Sequence, residues 1–307
     1  MTLCRRRFLL LACAGWLITA APAQAAGRGV VVVASAESAD YAQAIAALSE
    51  QLPRGTVTVV AAADFPTRAA PPPELYIALG SAAARALAAV EEAGHVPQLY
   101  ALLPRQRFER IVGSRKTPRS LSAIYLDQPF SRQLDLLHLA LPGARRIGVL
   151  WGPGSRLLAP ALATAASARN LRLVEATLAP DQPLYPALAR ALDRADALLA
   201  VADPLVYNGN TIENLLLASF RAGVPLVAFS PAYVRAGALL GLYSTPAQIG
   251  TQAGTMARAL LQGRSLPAPQ YPTEFTVEIN RHVARALGLD LNAAALATRL
   301  QQMEHVP

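Results

Sequence analysis

The feature that most constrains this chain is an alternation of short apolar strands with helices, which runs along the sequence in two successive rounds. Val30 to Ala34 is an uninterrupted aliphatic run, as expected for a parallel strand that is covered on both faces. The strand Ile147 to Trp151 begins the second round. Two successive sets of strand, turn and helix predict an α/β fold with two Rossmann-like lobes, each built on a parallel sheet.

The region after the second round predicts how the two lobes are joined. The strand Val224 to Phe229 ends abruptly, and a second strand-like run, Gly237 to Tyr243, follows within a few residues. Parallel neighbours in one sheet need a crossover connection, so we expect the second run to join a different sheet. The chain would then pass between the lobes at three places, forming a three-segment hinge near Asp127, Ser230 and Pro267.

These crossings divide the chain into three parts. We expect a signal peptide over residues 1–25. The N-terminal lobe would comprise residues 27–127 plus 231–265. The C-terminal lobe would comprise residues 128–230 plus 266–307.

The first residues have the pattern of a secretory signal peptide. Arg5 to Arg7 form a basic region, Phe8 to Ala20 an apolar region, and Ala23 to Ala25 a small-x-small cleavage site. The apolar run is shorter than the ~20 residues that a membrane-spanning helix needs, so we expect export to the periplasm. The arginines also resemble a twin-arginine signal, and the residues before Cys13 partly resemble a lipobox. Both export routes stay open as alternatives.

Cysteine usage and charge exclude two classes of function. Cys4 and Cys13 both lie in the signal peptide, so the processed chain is expected to hold no thiol and no disulfide. The formal charge of +8 would suit a nucleic-acid partner. The basic residues are scattered, however, and no basic run is interleaved with aromatic residues. We therefore expect no nucleic-acid partner.

Catalytic and metal-binding patterns are also lacking in the sequence. None of the 4 histidines stands at ligand spacing from another histidine or a cysteine. The chain has no Gly-x-Ser-x-Gly elbow and no Walker loop, and Gly152-x-Gly154 lacks the third glycine of a nucleotide motif. We expect no metal, no cofactor and no catalytic residues, so the protein is predicted not to be an enzyme.

Candidate ligand contacts follow from the predicted topology. Parallel α/β sheets bind ligands beyond the carboxyl ends of their strands, where helix N-termini offer unpaired N–H groups. The candidates are therefore the residues that follow predicted strands. They are Ser35, Glu37, Tyr41, Gly80, Ser81, Gln128, Trp151, Ser155, Asp203, Tyr207, Asn208, Ser230 and Tyr233.

Several of these candidates also fit a purely structural role. Ser81 and Ser155 are typical of helix caps. Asp203 precedes a proline, as in a closed turn. Trp151 is either a core residue or an aromatic ring that stacks on a flat ligand. The sequence leaves both roles open for each of them.

A series of stretches along the chain carries a resemblance to a known family. They are Leu75–Ala84, Tyr125–Pro129, Leu141–Trp151, Ala195–Leu199, Ala222–Ser230, Ala236–Tyr243, Gln248–Gly250 and Ile279–Asn280. They resemble the substrate-binding proteins of ABC transporters with the type I periplasmic-binding fold, in the branch that includes tryptophan and tyrosine binders. The resemblance implies two hinged lobes that close on a small molecule. By position it implies ligand contacts at Ser81, Asp203, Asn208 and Ser230.

Two departures from the family pattern concern the ligand. The segment between Ala61 and Pro73 is short, and Glu37 places a charge near the expected cleft, where it would favour an amine or face water. We expect a monomeric periplasmic protein that captures an amino acid or related molecule and delivers it to an ABC permease. The alternatives are a periplasmic sensor or accessory protein of the same fold that acts on a membrane receptor, and a secreted α/β enzyme.

Overall fold

The computed structural model of the chain describes residues 29–65, 72–90, 92–113 and 120–304. The predicted signal peptide and both cysteines lie outside the described residues, so those predictions stay predictions. Within the described ranges the strands form two sheets, one with five strands and one with six. The predicted α/β fold with two largely parallel sheets is confirmed. No helix in this part of the chain is both long and apolar enough to cross a membrane.

The first sheet is parallel throughout and has the strand order β2-β1-β3-β4-β5. The order reverses on either side of β1, which places a crevice between the carboxyl ends of β1 and β3. The strands of this sheet and the helices between them are β1 (Val30–Ala34), α1 (Ala39–Ser49), β2 (Val57–Ala61), β3 (Leu75–Leu79), α2 (Gly80–Ala89), β4 (Gln98–Leu103), α3 (Arg105–Val112) and β5 (Leu121–Tyr125).

The second sheet has the order β11-β10-β9-β8-β6-β7, and only the β10–β11 pair among its strands is antiparallel. Its order reverses between β7 and β8 around β6, which gives this sheet a crevice of the same kind. The elements are α4 (Phe130–Ala140), β6 (Arg146–Trp151), α5 (Ala159–Ser167), β7 (Arg172–Thr177), α6 (Leu184–Leu192), β8 (Ala197–Leu199), α7 (Ile212–Arg221), β9 (Leu226–Ala228), α8 (Pro231–Ala236), β10 (Leu240–Tyr243), α9 (Pro246–Leu261), β11 (Thr276–Ile279), α10 (Arg281–Ala286) and α11 (Ala293–Glu304).

The prediction that the run 237–243 joins a different sheet is wrong. Strand β10 pairs in parallel with β9, with Leu240 opposite Val227. The six-residue helix α8 is a short but sufficient crossover. Gly237 turns the chain back with a φ of 130°, and an ideal Cβ on Gly241 would lie 2.6 Å from Val234 Cγ2, so only glycine lets α8 pack this closely on β10. Residues 231–243 therefore belong with the second sheet.

The described chain passes between the two sheets at three places. The first crossing, residues 126–129, connects β5 to α4, as predicted near Asp127. The second crossing, residues 244–245, connects β10 to α9, and so lies after β10 rather than near Ser230. The third crossing, residues 270–275, leaves the first sheet at Gln270, which bridges to Ile124, and enters the second sheet at β11.

Helix α9 packs against the first sheet because two of its glycines lie against α1. An ideal Cβ on Gly250 would lie 2.2 Å from Ala44 O, and one on Gly254 would lie 2.5 Å from Leu48 O. Real Cβ atoms essentially never come this close to a neighbour. Ile249 and Ala253 are buried in the same core as Val30 and other strand residues of the first sheet. The chain thus returns to the first sheet only for α9 and the extended segment that follows it.

Candidate functional site

The carboxyl ends of the parallel strands in both sheets lie at the edge where the crossings leave. Strand β5 ends directly before the first crossing, and β10 ends directly before the second. The antiparallel strand β11 begins directly after the third crossing, at the same edge of the second sheet. The short crossings therefore join the two sheets at these edges, and the region between the edges is called the gap. This is the position at which open α/β sheets bind ligands.

The wall formed by the first sheet brings together Ser35, Tyr41 and Gly80. Ser35 Oγ accepts a hydrogen bond from Ala83 N at 2.9 Å, so it caps α2 from the end of β1. Gly80 has a φ of +85°, and an ideal Cβ on it would lie 2.2 Å from Tyr41 Oη and 2.7 Å from Ser35 Oγ. The two hydroxyls therefore converge over the start of α2, where only a glycine leaves room for them.

Two further candidates lie beside this cluster. Ser81 is half-buried in the first turn of α2, and no side chain at that turn acts as the N-cap. The capping group is Ser35 instead, so the capping interpretation of Ser81 is wrong. Glu37 is exposed and stands directly before Ser38, the N-cap of α1. Both residues remain candidate ligand contacts.

The wall formed by the second sheet is organised by the buried carboxylate of Asp203. Its Oδ2 accepts a hydrogen bond from Ser155 N at 2.8 Å, and its Oδ1 accepts one from Leu205 N at 2.9 Å. An ideal Cβ on Gly152 would lie 2.4 Å from this carboxylate. Ser155 is itself fully buried, with its Oγ accepting a hydrogen bond from Gly152 N at 3.0 Å. Asp203 therefore holds the loops after β6 and β8 together.

Three aromatic rings pack edge to face beside these loops. The ring centroids of Tyr207 and Phe229 are 5.8 Å apart, those of Phe229 and Tyr233 5.1 Å, and those of Tyr207 and Tyr233 6.1 Å. The Tyr207 hydroxyl is buried and has no hydrogen-bond partner in the described part of the chain. Burial, followed by the nearby Tyr233 and Asp203, raises the pKa of Tyr207 well above its ordinary value. An unpaired buried hydroxyl is unfavourable, which makes it a candidate ligand contact.

Phe229 was not among the predicted site residues. It is the last residue of the apolar run that stops at Ser230, so the sequence places it within the predicted strand. The structure ends β9 at Ala228 and leaves Phe229 half-buried among the aromatic rings. The candidate contacts are the residues that follow predicted strands, so a predicted strand end one residue earlier would have included Phe229. Ser230 is half-buried at the N-cap position of α8, where its side chain makes no capping hydrogen bond.

The structure does not present Trp151 to the gap. Its ring is fully buried in the hydrophobic core, and its Nε1 donates to Glu175 Oε2 at 2.6 Å. The physical reason is that β6 is a central strand, and Trp151 belongs to the same core as Leu137 of α4 and Leu162 of α5. The interpretation of Trp151 as a stacking platform for a ligand is therefore wrong in this conformation.

Two amide candidates are likewise engaged within the protein. Asn208 donates from Nδ2 to Pro204 O and Leu205 O, and its Oδ1 accepts from Asn210 N. Its side chain thus builds the loop after β8. Gln128 is buried and bonded to side chains of the hinge rather than to the gap.

Asp127 is a carboxylate at this edge that the site prediction left out. Its Oδ2 accepts a hydrogen bond from Arg105 N at 2.6 Å, which holds α3 against the end of β5. Desolvation raises the pKa of Asp127. Arg105 in turn pairs with Glu109 at 2.7 Å and donates to Tyr271 Oη at 3.3 Å. Among the described residues, no group of three or more histidine, cysteine or acidic side chains could hold a metal ion.

Comparisons with known proteins agree with this architecture. The chain is similar to the ligand-free, open structure of CD0873, a substrate binding protein with adhesive properties from Clostridium difficile. The two share 18% sequence identity and a TM-score of 0.69 over 86% of this chain and 96% of that one. It is also similar to an ABC domain in complex with L-Trp from Streptococcus pneumonia, at 15% identity and a TM-score of 0.58 over 87% and 97% of the two chains.

A third similar structure is a periplasmic ribose ABC transporter protein from Conexibacter woesei. It shares 15% identity and a TM-score of 0.57 over 88% of this chain and 97% of that one. At these identities the likeness shows the fold alone. No curated protein sequence shows a significant match to the chain.

The sequence model of the ABC transporter substrate binding protein family matches residues 73–302. That span includes most of the first sheet, the whole of the second sheet and the crossings between them. The family and its fold are those of solute-binding proteins, which bind small ligands and are not enzymes. The chain therefore belongs to the family of ABC transporter substrate-binding proteins.

Proposed function

We propose that this protein captures a small molecule between two lobes in the periplasm and delivers it to an ABC permease. Each lobe is one of the two sheets with the helices packed on it. One observation carries the proposal: short crossing segments join the two sheets at the carboxyl ends of their parallel strands. That arrangement suits hinge closure around a ligand.

The mechanism needs no covalent chemistry. A ligand that contacts both walls only when the lobes are closed shifts the equilibrium toward closure by its differential affinity for that state. The first wall offers the hydroxyls of Ser35 and Tyr41 and the start of α2. The second offers the rings of Phe229 and Tyr233 and the buried hydroxyl of Tyr207.

We infer that the ligand is an amino acid or a related small molecule. Ala83 N in the first turn of α2 donates to Ser35, and the other first-turn N–H groups, which have no partner within the helix, suit a carboxylate. The exposed Glu37 suits an amine, and the aromatic rings suit an apolar side chain. One of the similar solved structures is a complex with L-Trp, and another is named for ribose. Sugars are therefore the alternative class of ligand.

The proposal is tested first by the identity of what co-purifies. The processed protein is isolated under native conditions, denatured, and the released small molecules are identified by mass spectrometry. Candidate amino acids, nucleosides and sugars are then added singly while the melting temperature is measured. A specific ligand at 100-fold its Kd stabilises the folded state by about 2.7 kcal/mol, which raises the melting temperature by several degrees. A broad set of compounds without any such shift would count against ligand capture.

Transport is distinguished from sensing by uptake. If the protein serves a permease, deletion of its gene abolishes high-affinity uptake of the identified ligand, and export of the protein restores it. Normal uptake in the deletion strain, with ligand binding intact in the purified protein, would favour the sensor or accessory role.

A further inference from the structure

A buried guanidinium lies where the chain passes between the lobes. Arg132, on the first turn of α4, is 7% exposed. Its Nη1 donates to Gln128 Oε1 at 2.6 Å and to Pro272 O at 2.9 Å, and its Cζ lies 4.7 Å from the centre of the Phe275 ring. One side chain thus contacts both the first and the third crossing.

The other edge of the same guanidinium is held by the last described helix. Nε and Nη2 of Arg132 both donate to the carboxylate of Glu304, with Nη2 2.9 Å from Oε2. Glu304 is the last residue of α11. A carboxylate is unfavourable at the C-terminal end of a helix, because that end carries the negative pole of the dipole. Helix stability therefore does not explain why a glutamate stands at this position. Its pairing with the planar guanidinium of Arg132, which fits a carboxylate with two hydrogen bonds, does explain it.

The network continues from Arg132 through all of the crossings. Gln128 Oε1 accepts from Arg132, which leaves the Nε2 of Gln128 facing Ser244. This Nε2 donates to Ser244 Oγ at 2.8 Å. Ser244 in turn donates to Glu274 O at 2.5 Å. Gln128 lies in the first crossing, Ser244 in the second and Glu274 in the third. Gln128 and Ser244 are both buried, so water does not compete for these bonds.

We propose that Arg132 and Glu304 are positioning residues of the hinge, which hold the crossing segments in one arrangement and limit how far the unliganded lobes open and twist. Neither residue belongs to the walls of the candidate site. Their effect on ligand binding is indirect, through the fraction of molecules in a closure-competent arrangement. The proposal rests on the proposed function in that it treats the two sheets as moving lobes.

The direct test measures the distance between the lobes without any ligand. Both cysteines of the sequence, Cys4 and Cys13, lie in the predicted signal peptide, so the processed protein takes up spin label only at introduced cysteines. Gln43 on α1 and Ala189 on α6 are exposed and are replaced by cysteine. Double electron–electron resonance on the protein freed of co-purified small molecules gives the distribution of interlobe distances.

Glu304→Gln keeps the size of the side chain and removes its charge, so it is the mild variant. We expect the distance distribution to become at least twofold wider than in the parent protein. Arg132→Lys, which keeps the charge but loses the fork, should widen it further. The matched control is Asp135→Asn. Asp135 is on α4, as Arg132 is, and it accepts two hydrogen bonds at 2.6 Å from Arg169, away from the crossings. The substitution weakens that pair.

Coupling separates a hinge role from a merely structural one. Ser244→Ala breaks the same chain of bonds at its other end, so combining it with Glu304→Gln should widen the distribution no more than either change alone. If Glu304→Gln lowers the melting temperature but leaves the distribution as narrow as Asp135→Asn does, the proposal is overturned. The distances are measured without ligand, so the two proposals can fail separately. If the protein binds no small molecule but the variants still widen the distance distribution as described, the proposed function is refuted and the hinge inference stands.

Discussion

Gly80 shows how a single residue defines one wall of the cleft. Its left-handed backbone and the lack of a side chain let Ser35 cap α2 and let the Tyr41 hydroxyl lie over the helix start. The sequence predicts this much, because Ser35 and Gly80 each follow a strand and the carboxyl ends of neighbouring parallel strands lie together. The contact with Tyr41 depends on the angle at which α1 packs, which no local pattern encodes.

We predict that Gly80→Ala destabilises the protein more than Gly55→Ala does. Both glycines have positive φ, near +80°, but nothing lies within 4 Å of an ideal Cβ at Gly55. Strain in the backbone alone should cost about 1 kcal/mol at each position. Displacement of Tyr41 and Ser35 should add about 1–3 kcal/mol at Gly80. Urea unfolding measures both values, and equal losses would show that the two hydroxyls are not held against Gly80.

Tyr207 gives a second prediction at this scale, because its buried hydroxyl has no partner among the described residues. Tyr207→Phe should leave the free energy of unfolding unchanged or raise it by up to about 1 kcal/mol, since an unsatisfied group is removed. The control is Tyr243→Phe, whose hydroxyl donates to Glu278 at 2.6 Å and whose loss should cost about 1–2 kcal/mol. Equal destabilisation by the two changes would mean that the Tyr207 hydroxyl is paired in solution.

At the scale of elements, the strands and most helices follow from periodicity, while the sheet membership of β10 does not. The prediction for 237–243 fails because a short connection is normally too short for a crossover, and α8 is nevertheless one. The close packing of α8 on β10 permits this short crossover. It depends on the contact between Gly241 and Val234, which the sequence pattern does not reveal. The burial of Trp151 is of the same kind, since it depends on the residues of α4 and α5 that share its core.

The packing of α9 on α1 gives a prediction about an element. Gly250→Ala would place a Cβ 2.2 Å from a backbone oxygen of α1. Alanine favours an isolated helix by about 1 kcal/mol, but the forced separation of the two helices should outweigh this and destabilise the protein by about 1–3 kcal/mol. Gly143→Ala, with nothing within 4 Å of its Cβ, should change stability by less than about 0.5 kcal/mol. Stabilisation by Gly250→Ala in thermal unfolding would contradict the observed packing.

For the whole molecule, the fold and the family could be predicted from the sequence, and much of the detail of the site could not. The residues after the strands define the region of the cleft, but several of them, such as Asp203 and Asn208, are used to build loops. Whether such a residue builds a loop or contacts a ligand depends on hydrogen bonds between segments that are far apart in the sequence. Such bonds leave no signal in a single sequence.

Closure on a ligand is the central claim, and the interlobe distance tests it most directly. Labels at Gln43→Cys and Ala189→Cys report the separation of the lobes before and after addition of the small molecule that co-purifies with the protein. We predict that saturating ligand replaces the initial distribution by a narrower one at shorter distance, and that an unrelated sugar or amino acid leaves it unchanged. A distribution that is identical with and without a bound ligand would contradict capture by hinge closure.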